Sequence, residues 1–333
     1  MRLLSYILVL LVLFSCNKRE RAKAIQPSEI NLLKDDKEVE QFIRKSDSLY
    51  KKFTLKKIQD LSCMGCDSSL VKLANRLGVD YTFVKADFDN NGYMDLLATG
   101  ENKTYTIDNY DPDLEVMFSK SFNAFTIMDF GNGNTKVFDL TEDIFRGIVP
   151  KVKYEEGKAL LVIYSPRYVT RVERYKREES KSELTFKFND FVEYNRSPKE
   201  YDIEKIEYST LGCFGKCPIF SMLINKNGTS VFTAIEYNYT EPWQKGNLLQ
   251  GVYKITLKDD TLNEIKSLLN YIDFPSLQEE YNVTWTDDQT AILKVTYNNG
   301  KTKTITDYGL QGTYGLRKFH AVFKELRLNQ SWH

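Results

Sequence analysis

Two spacings of apolar residues divide the chain. In a few stretches they recur every three or four positions, as a helix with one buried face requires; in longer tracts they alternate with polar residues, as half-buried strands do. Val39, Phe42, Ile43, Leu49, Tyr50 and Phe53 share one helical face, with Lys37, Glu40, Arg44 and Lys51 opposite. This predicts an opening helix. A second is expected over residues 68–77, with Asp67 as N-cap, Leu70, Ala74 and Leu77 on the buried side and Gly78 as the stop. Beyond it the pattern turns to strands, expected at 81–86, 96–99, 122–128, 136–140, 160–164, 169–175 and 184–188.

A polar stretch at 193–200 that includes Pro198 interrupts the pattern and marks a boundary. After it, strands are expected at 203–210, 219–224, 229–237 and 252–256, with a hairpin turn at Asn227-Gly228. Asp259 or Asp260 would cap a helix striped by Leu262, Ile265, Leu268, Leu269 and Ile272. A last hairpin, 291–297 with 302–306, turns at Asn298-Asn299-Gly300, before a helix bearing Leu316, Phe319, Val322, Phe323 and Leu326. The expected fold class is α+β, with domains at 36–192 and 200–330. Each is mainly antiparallel sheet with a few helices, and in the second a hairpin-rich sheet is covered on one face by two helices. Asp87-Phe88 with Asn91-Gly92 is echoed about 42 positions later by Asp129-Phe130 with Gly131-Asn132-Gly133. A propeller blade has that period, and two similar hairpins would explain it equally well.

Residues 1–15 carry an Arg and then an apolar run too short to span a bilayer comfortably, which takes about 20 residues. Leu13-Phe14-Ser15-Cys16 resembles the lipobox of bacterial lipoproteins. The resemblance implies removal of residues 1–15, acylation of Cys16, and a polar, basic tether over 16–35. The expected location is the cell envelope, at the outer membrane facing the periplasm, with the membrane as a partner through the N-terminal acyl chains. Lys and Arg total 46, as do Asp and Glu, so the chain lacks an electrostatic footprint for nucleic acid. An exported chain is also cut off from cytosolic nucleotides. Neither is expected as a partner.

Asp87-Phe88-Asp89-Asn90-Asn91-Gly92-Tyr93-Met94-Asp95 has the strongest local chemistry. Calcium takes six to eight oxygen ligands in flexible geometry; the side chains of Asp87, Asp89, Asn91 and Asp95 and the carbonyl of Tyr93 would supply them. An EF-hand would need Glu where Ala98 stands, and a helix where a strand is expected. The loop instead resembles that of FG-GAP/VCBS-type repeats. Calcium is the expected cofactor, in a structural role.

The other four cysteines form two close pairs, Cys63 with Cys66 and Cys213 with Cys217. In an oxidising compartment, disulfides are the default. Four cysteines allow three connectivities, of which local pairing is the simplest. Two alternatives stay open: thiol–disulfide exchange by Cys63 and Cys66 at the start of a helix, and a four-thiolate zinc site. Residues 206–220, with Cys213-Phe214-Gly215-Lys216-Cys217-Pro218, resemble a domain-of-unknown-function family of Bacteroidetes lipoproteins whose opening turn reads C-x-G-x-C-P. The likeness extends over about 203–328 and implies structural roles for Cys213, Gly215, Cys217 and Pro218. Ser48 and Lys51 spell S-x-x-K without its companion motifs. With only His320 and His333 in the chain, histidine-based triads are nearly excluded, and His320 reads as a partly buried helix residue.

The functional expectation is therefore a lipid-anchored binding or scaffolding module for an envelope protein or glycan, with no catalytic residue assigned. Trp243 and Trp285 are candidate contact residues. The competing class is a periplasmic thiol–disulfide oxidoreductase.

Overall fold

A strand loses its alternation when both faces are covered, and β3 (Asp95–Asn102) is buried at every position. The computed structural model describes residues 25–61, 68–102, 123–140, 147–169, 176–241 and 245–333. β1 (Phe53–Leu55) and β2 (Phe83–Ala86) both pair with β3, which continues through β4 (Asn123–Asp129) to β5 (Thr135–Asp139) in an antiparallel sheet. On one face, α1 (Glu29–Leu32) and α2 (Asp36–Ser46) bring Ile30, Val39, Phe42 and Ile43 against Phe53, Leu96, Phe125 and Ile127. On the other lie α3 (Ser68–Leu77) and a second antiparallel sheet, ordered β11-β10-β7-β6. Its strands are β6 (Val149–Glu155), β7 (Lys158–Ser165), β10 (Ser180–Lys187) and β11 (Asp190–Glu193). β8 (Tyr168–Val169) and β9 (Lys176–Arg177) form a separate ribbon.

Several expectations are corrected here. The first helix stops at Ser46, because Asp47 turns extended and its side chain accepts from the N–H of Leu49 to start a short 3-10 turn. That leaves Leu49 exposed and moves Phe53 into β1. β6 escapes the pattern because Pro150 interrupts it; the strand sits at a sheet edge, where a missing donor is tolerated. The 42-residue echo corresponds to two side-by-side hairpins, β2 with β3 and β4 with β5.

The C-terminal half is one seven-stranded sheet, ordered β15-β14-β13-β12-β17-β18-β16. The strands are β12 (Ile203–Thr210), β13 (Ile219–Asn225), β14 (Thr229–Glu241), β15 (Lys245–Thr256), β16 (Glu280–Asn282), β17 (Thr290–Tyr297) and β18 (Lys301–Tyr308). α4 (Asp259–Tyr271) and α5 (Tyr314–Asn329) cover one face, so β12 and β13 keep a clean inward alternation. Ile206, Tyr208, Phe220, Met222 and Phe232 meet Leu262, Ile265, Phe319 and Phe323 there. The cap of α4 is Lys258, without a side-chain bond, instead of Asp259 or Asp260; both acids fall in the first turn, where the helix dipole favours them. β16 pairs parallel with β18, a departure from the antiparallel rule. The fold is α+β, built mostly of antiparallel sheet.

The halves are stitched by specific bonds. Glu193 at the end of β11 accepts from the N–H of Tyr314 (2.7 Å) and of Gly315 (2.8 Å) in the first turn of α5. Asn195 donates through Nδ2 to the carbonyl of Tyr271 at 2.6 Å, and Arg196 pairs with both Glu155 and Glu183.

Candidate functional site

Between β2 and β3 the chain turns through Asp87 to Gly92, with Asn90 and Gly92 at positive φ. Asp87 opens the turn like a cap: its two oxygens accept from the N–H of Asn91 (3.0 Å) and of Gly92 (2.9 Å). Asp89 accepts from the N–H of Asn91 at 3.1 Å and from its amide nitrogen at 2.9 Å. Asp95, fully buried at the start of β3, reaches two loops at once. One oxygen accepts from the N–H of Phe88 (2.7 Å), the other from that of Asp129 (2.8 Å) at the end of β4. Asp87, Asp89 and Asp95 each place a carboxylate oxygen within 4.8 Å of the others.

Three carboxylates at this spacing oppose one another's ionisation. Burial, followed in effect by the charges of Asp89 and Asp87, pushes the Asp95 carboxyl up to about 8 against the N–H bonds that favour its ionised form. Burial raises Asp89 to about 6, with the Asp87 charge adding to it. A carboxylate has about four lone-pair sites, and each of the three uses only some of them to accept from N–H groups. The remaining oxygens form an all-oxygen set suited to a hard cation.

Of the five expected ligands, the structure therefore gathers Asp87, Asp89 and Asp95. Asn91 turns its amide nitrogen toward Asp89 and toward the carbonyl of Asp129 (2.8 Å), while its Oδ1 accepts from the N–H of Tyr93 at 2.6 Å. For its oxygen to serve as a ligand the amide would have to rotate. The Tyr93 ring lies where a Cβ on Gly131 would stand 2.7 Å from it, so the first loop packs tightly on the second. Sequence reasoning missed Asp129, whose peptide group engages the first loop from both sides; its place in the echoed Asp-Phe motif was the available signal.

In the C-terminal half, a disulfide joins Cys213 to Cys217, with Cα atoms 5.8 Å apart. This local pairing removes two of the thiolates that a four-cysteine zinc site would need. Gly215 takes φ 142° in the closed loop. Buried Gln289 holds the loop's base, donating Nε2 to the carbonyls of Leu211 (3.0 Å) and Pro218 (2.8 Å), a role the sequence did not signal. Trp285 lies on the neighbouring loop, partly exposed, its Nε1 donating to Asp288 at 3.0 Å. Cys16, Cys63, Cys66 and Trp243 lie outside the described residues.

His320 is fully buried rather than partly so. It sits between Tyr208 Oη, 3.1 Å from Nδ1, and Asp307 Oδ2, 3.0 Å from Nε2. Asp307 also accepts from the N–H groups of Gln311 and Gly312. Burial, and secondarily the Asp307 charge, pushes the Tyr208 phenol well above its ordinary value, so it stays a donor. All three side chains are sealed in the core, so the chain of bonds orders the interior.

No curated protein and no solved structure matches the chain. A family model does match the stretch from β12 to the last turns of α5, with the sheet, the disulfide loop and the buried His320 inside it: residues 204–327 form a DUF6438 domain, a domain of unknown function.

Proposed function

We propose that this chain is a lipid-anchored cell-envelope protein that works as a binding or scaffolding module, braced by a structural calcium ion in its N-terminal half and by a disulfide in its C-terminal half. The observation that carries the brace is the reach of Asp95: one buried carboxylate ties the β2–β3 turn to the end of β4, 34 residues on. A cation at Asp87, Asp89 and Asp95 would offset their mutual repulsion and lock the two hairpins together. Such an ion orders loops. The lipobox-like Leu13-Phe14-Ser15-Cys16 supports the anchor, and an oxidising, calcium-replete compartment suits both braces.

Calcium should raise the melting midpoint of the protein relative to EGTA. At free calcium about 100-fold above Kd, linkage contributes about 2.7 kcal/mol, which for a cooperative unit of about 300 residues is about 4 °C. Asp89→Asn should abolish the calcium response while leaving the EGTA midpoint equal or higher, since it removes a repelling charge. Equal midpoints with calcium and EGTA would remove the ion from the proposal. The anchor has its own test: Cys16→Ser should prevent incorporation of labelled palmitate and release the protein from the membrane fraction, and unchanged labelling would refute it.

A further inference from the structure

We propose that the disulfide-closed loop of residues 211–218, together with the adjoining loop of residues 283–288, is a lipid-contacting tip that seats the DUF6438 domain on a bilayer surface. The inference deepens the envelope reading and rests on it for the presence of a membrane nearby. Phe214 is 87% exposed, the most exposed large apolar side chain among the described residues, and Leu211 and Trp285 add 48% and 39%. Single exposed hydrophobics need no explanation; three on two touching loops do. The loops touch through the Phe214 N–H, which donates to the Asp287 carbonyl (3.0 Å), and Leu211 is held beside them by its N–H bond to the carbonyl of Thr290 at the start of β17 (2.8 Å).

The tip is held in shape. The Cys213–Cys217 disulfide closes it, Gln289 fastens both ends of its base, and the Thr210 hydroxyl donates to the Pro218 carbonyl at 2.8 Å. Phe214 is thus presented to solvent by a braced loop and not by a loose one. These bonds also satisfy both backbone groups of Leu211, the Phe214 N–H and the Pro218 carbonyl internally, which lowers the cost of entering a medium that cannot hydrogen-bond them.

The small extent of the patch favours lipid over a protein pocket. Three exposed side chains on two short loops offer too little area for a stable protein interface, which takes roughly 1,200–2,000 Å², but they can enter a fluid interface. Trp285 has the amphipathic ring favoured at membrane–water boundaries, and exposed Lys216 in the same loop can meet headgroup phosphates. Asp287 and Asp288, on the second loop, resist deep or strongly anionic surfaces and so limit the seat to a shallow one. Weak affinity suffices for a tethered domain, because tethering raises its effective concentration at the surface to the millimolar range for a short flexible linker.

The test uses the chain from residue 17 onward, which keeps every described residue and cannot be acylated, with vesicles of phosphatidylethanolamine and phosphatidylglycerol. The chain should co-sediment with vesicles and its tryptophan emission should shift to the blue. Phe214→Ser should weaken partition by about tenfold or more, the share of one large apolar side chain leaving water, with an unchanged melting midpoint. Phe214→Trp should retain binding. No binding at millimolar lipid, or equal binding by Phe214→Ser, overturns the proposal. Dimerisation through the tip without vesicle binding, lost in Phe214→Ser, also overturns it and assigns the tip to a second copy. None of these results bears on Cys16, so a failure here is distinguishable from a failure of the anchor.

Discussion

Replacing His320 with Ala should cost about 3 to 5 kcal/mol of stability, the range for breaking a buried polar pair with added cavity. The proton arrangement explains the size. Asp307 accepts from Gln311 N–H and Gly312 N–H and, in the tautomer that carries its proton on Nε2, from His320, whose Nδ1 then accepts from Tyr208 O–H. His320 bridges the other two side chains, so removing it costs each of them a partner. His320→Ala strands the Tyr208 hydroxyl and leaves Asp307 Oδ2 with the Gly312 N–H alone, in an interior where Tyr208 and Asp307 are each 1% exposed. Tyr208→Phe strands only Nδ1, at about 1 kcal/mol. Urea unfolding should show the His320→Ala midpoint falling by more than about 1 M, given an m-value of about 1–3 kcal/mol/M. If His320→Ala loses no more than Tyr208→Phe, the three residues do not act as a unit.

This network marks the limit of what the sequence discloses. The 3.6-residue stripe of Leu316, Phe319 and Phe323 located α5 and placed His320 close to its buried face, but pairing with Asp307 depends on which way β18 turns its side chains. Asp307 shares its parity with inward Ile305. An acid at an inward position was therefore visible, and its partner was not, because the link between strand and helix is tertiary. The same reasoning covers the sheets. β12 and β13 announced themselves, since one face is wet; β6 and β16 did not, since Pro150 breaks one and the other is three residues long with a parallel partner. The convergence of Asp87, Asp89 and Asp95 was legible because all three lie within one short stretch of sequence. Asp129 was signalled only by its place in the echoed Asp-Phe motif, because it reaches the loop from a neighbouring hairpin, and Gln289 was not signalled at all, because nothing near it in sequence shows the two carbonyls it serves.

Glu193→Ala should split the thermal unfolding of the protein into two transitions, with a loss of about 2 to 3 kcal/mol at the junction. A carboxylate from the last strand of the N-terminal half caps a helix that begins more than a hundred residues later, accepting two N–H bonds where the helix dipole is most positive. Charge-assisted bonds of this type are worth about 1.5 to 3 kcal/mol each, and some of that returns when water reaches the freed N–H groups. The Thr313 hydroxyl still accepts from Leu316 N–H at 3.0 Å, so α5 itself should survive the substitution. What is lost is its attachment to β11. Glu193→Gln, which keeps an acceptor oxygen without the charge, should fall between wild type and Ala. Gly315→Val is a harsher variant: a Cβ there would lie 2.4 Å from Ile272 Cγ2, within the same half, and 3.2 Å from the Glu193 carboxylate, so it should destabilise the C-terminal half itself as well as disturb the cap. Calorimetry reads all three variants. A single Glu193→Ala transition within about 2 °C of wild type would mean that Asn195, bonded to Tyr271, holds the junction without it. Two transitions, each near the melting point of an intact half, would show that the halves are separately cooperative and that one carboxylate makes them move as one body.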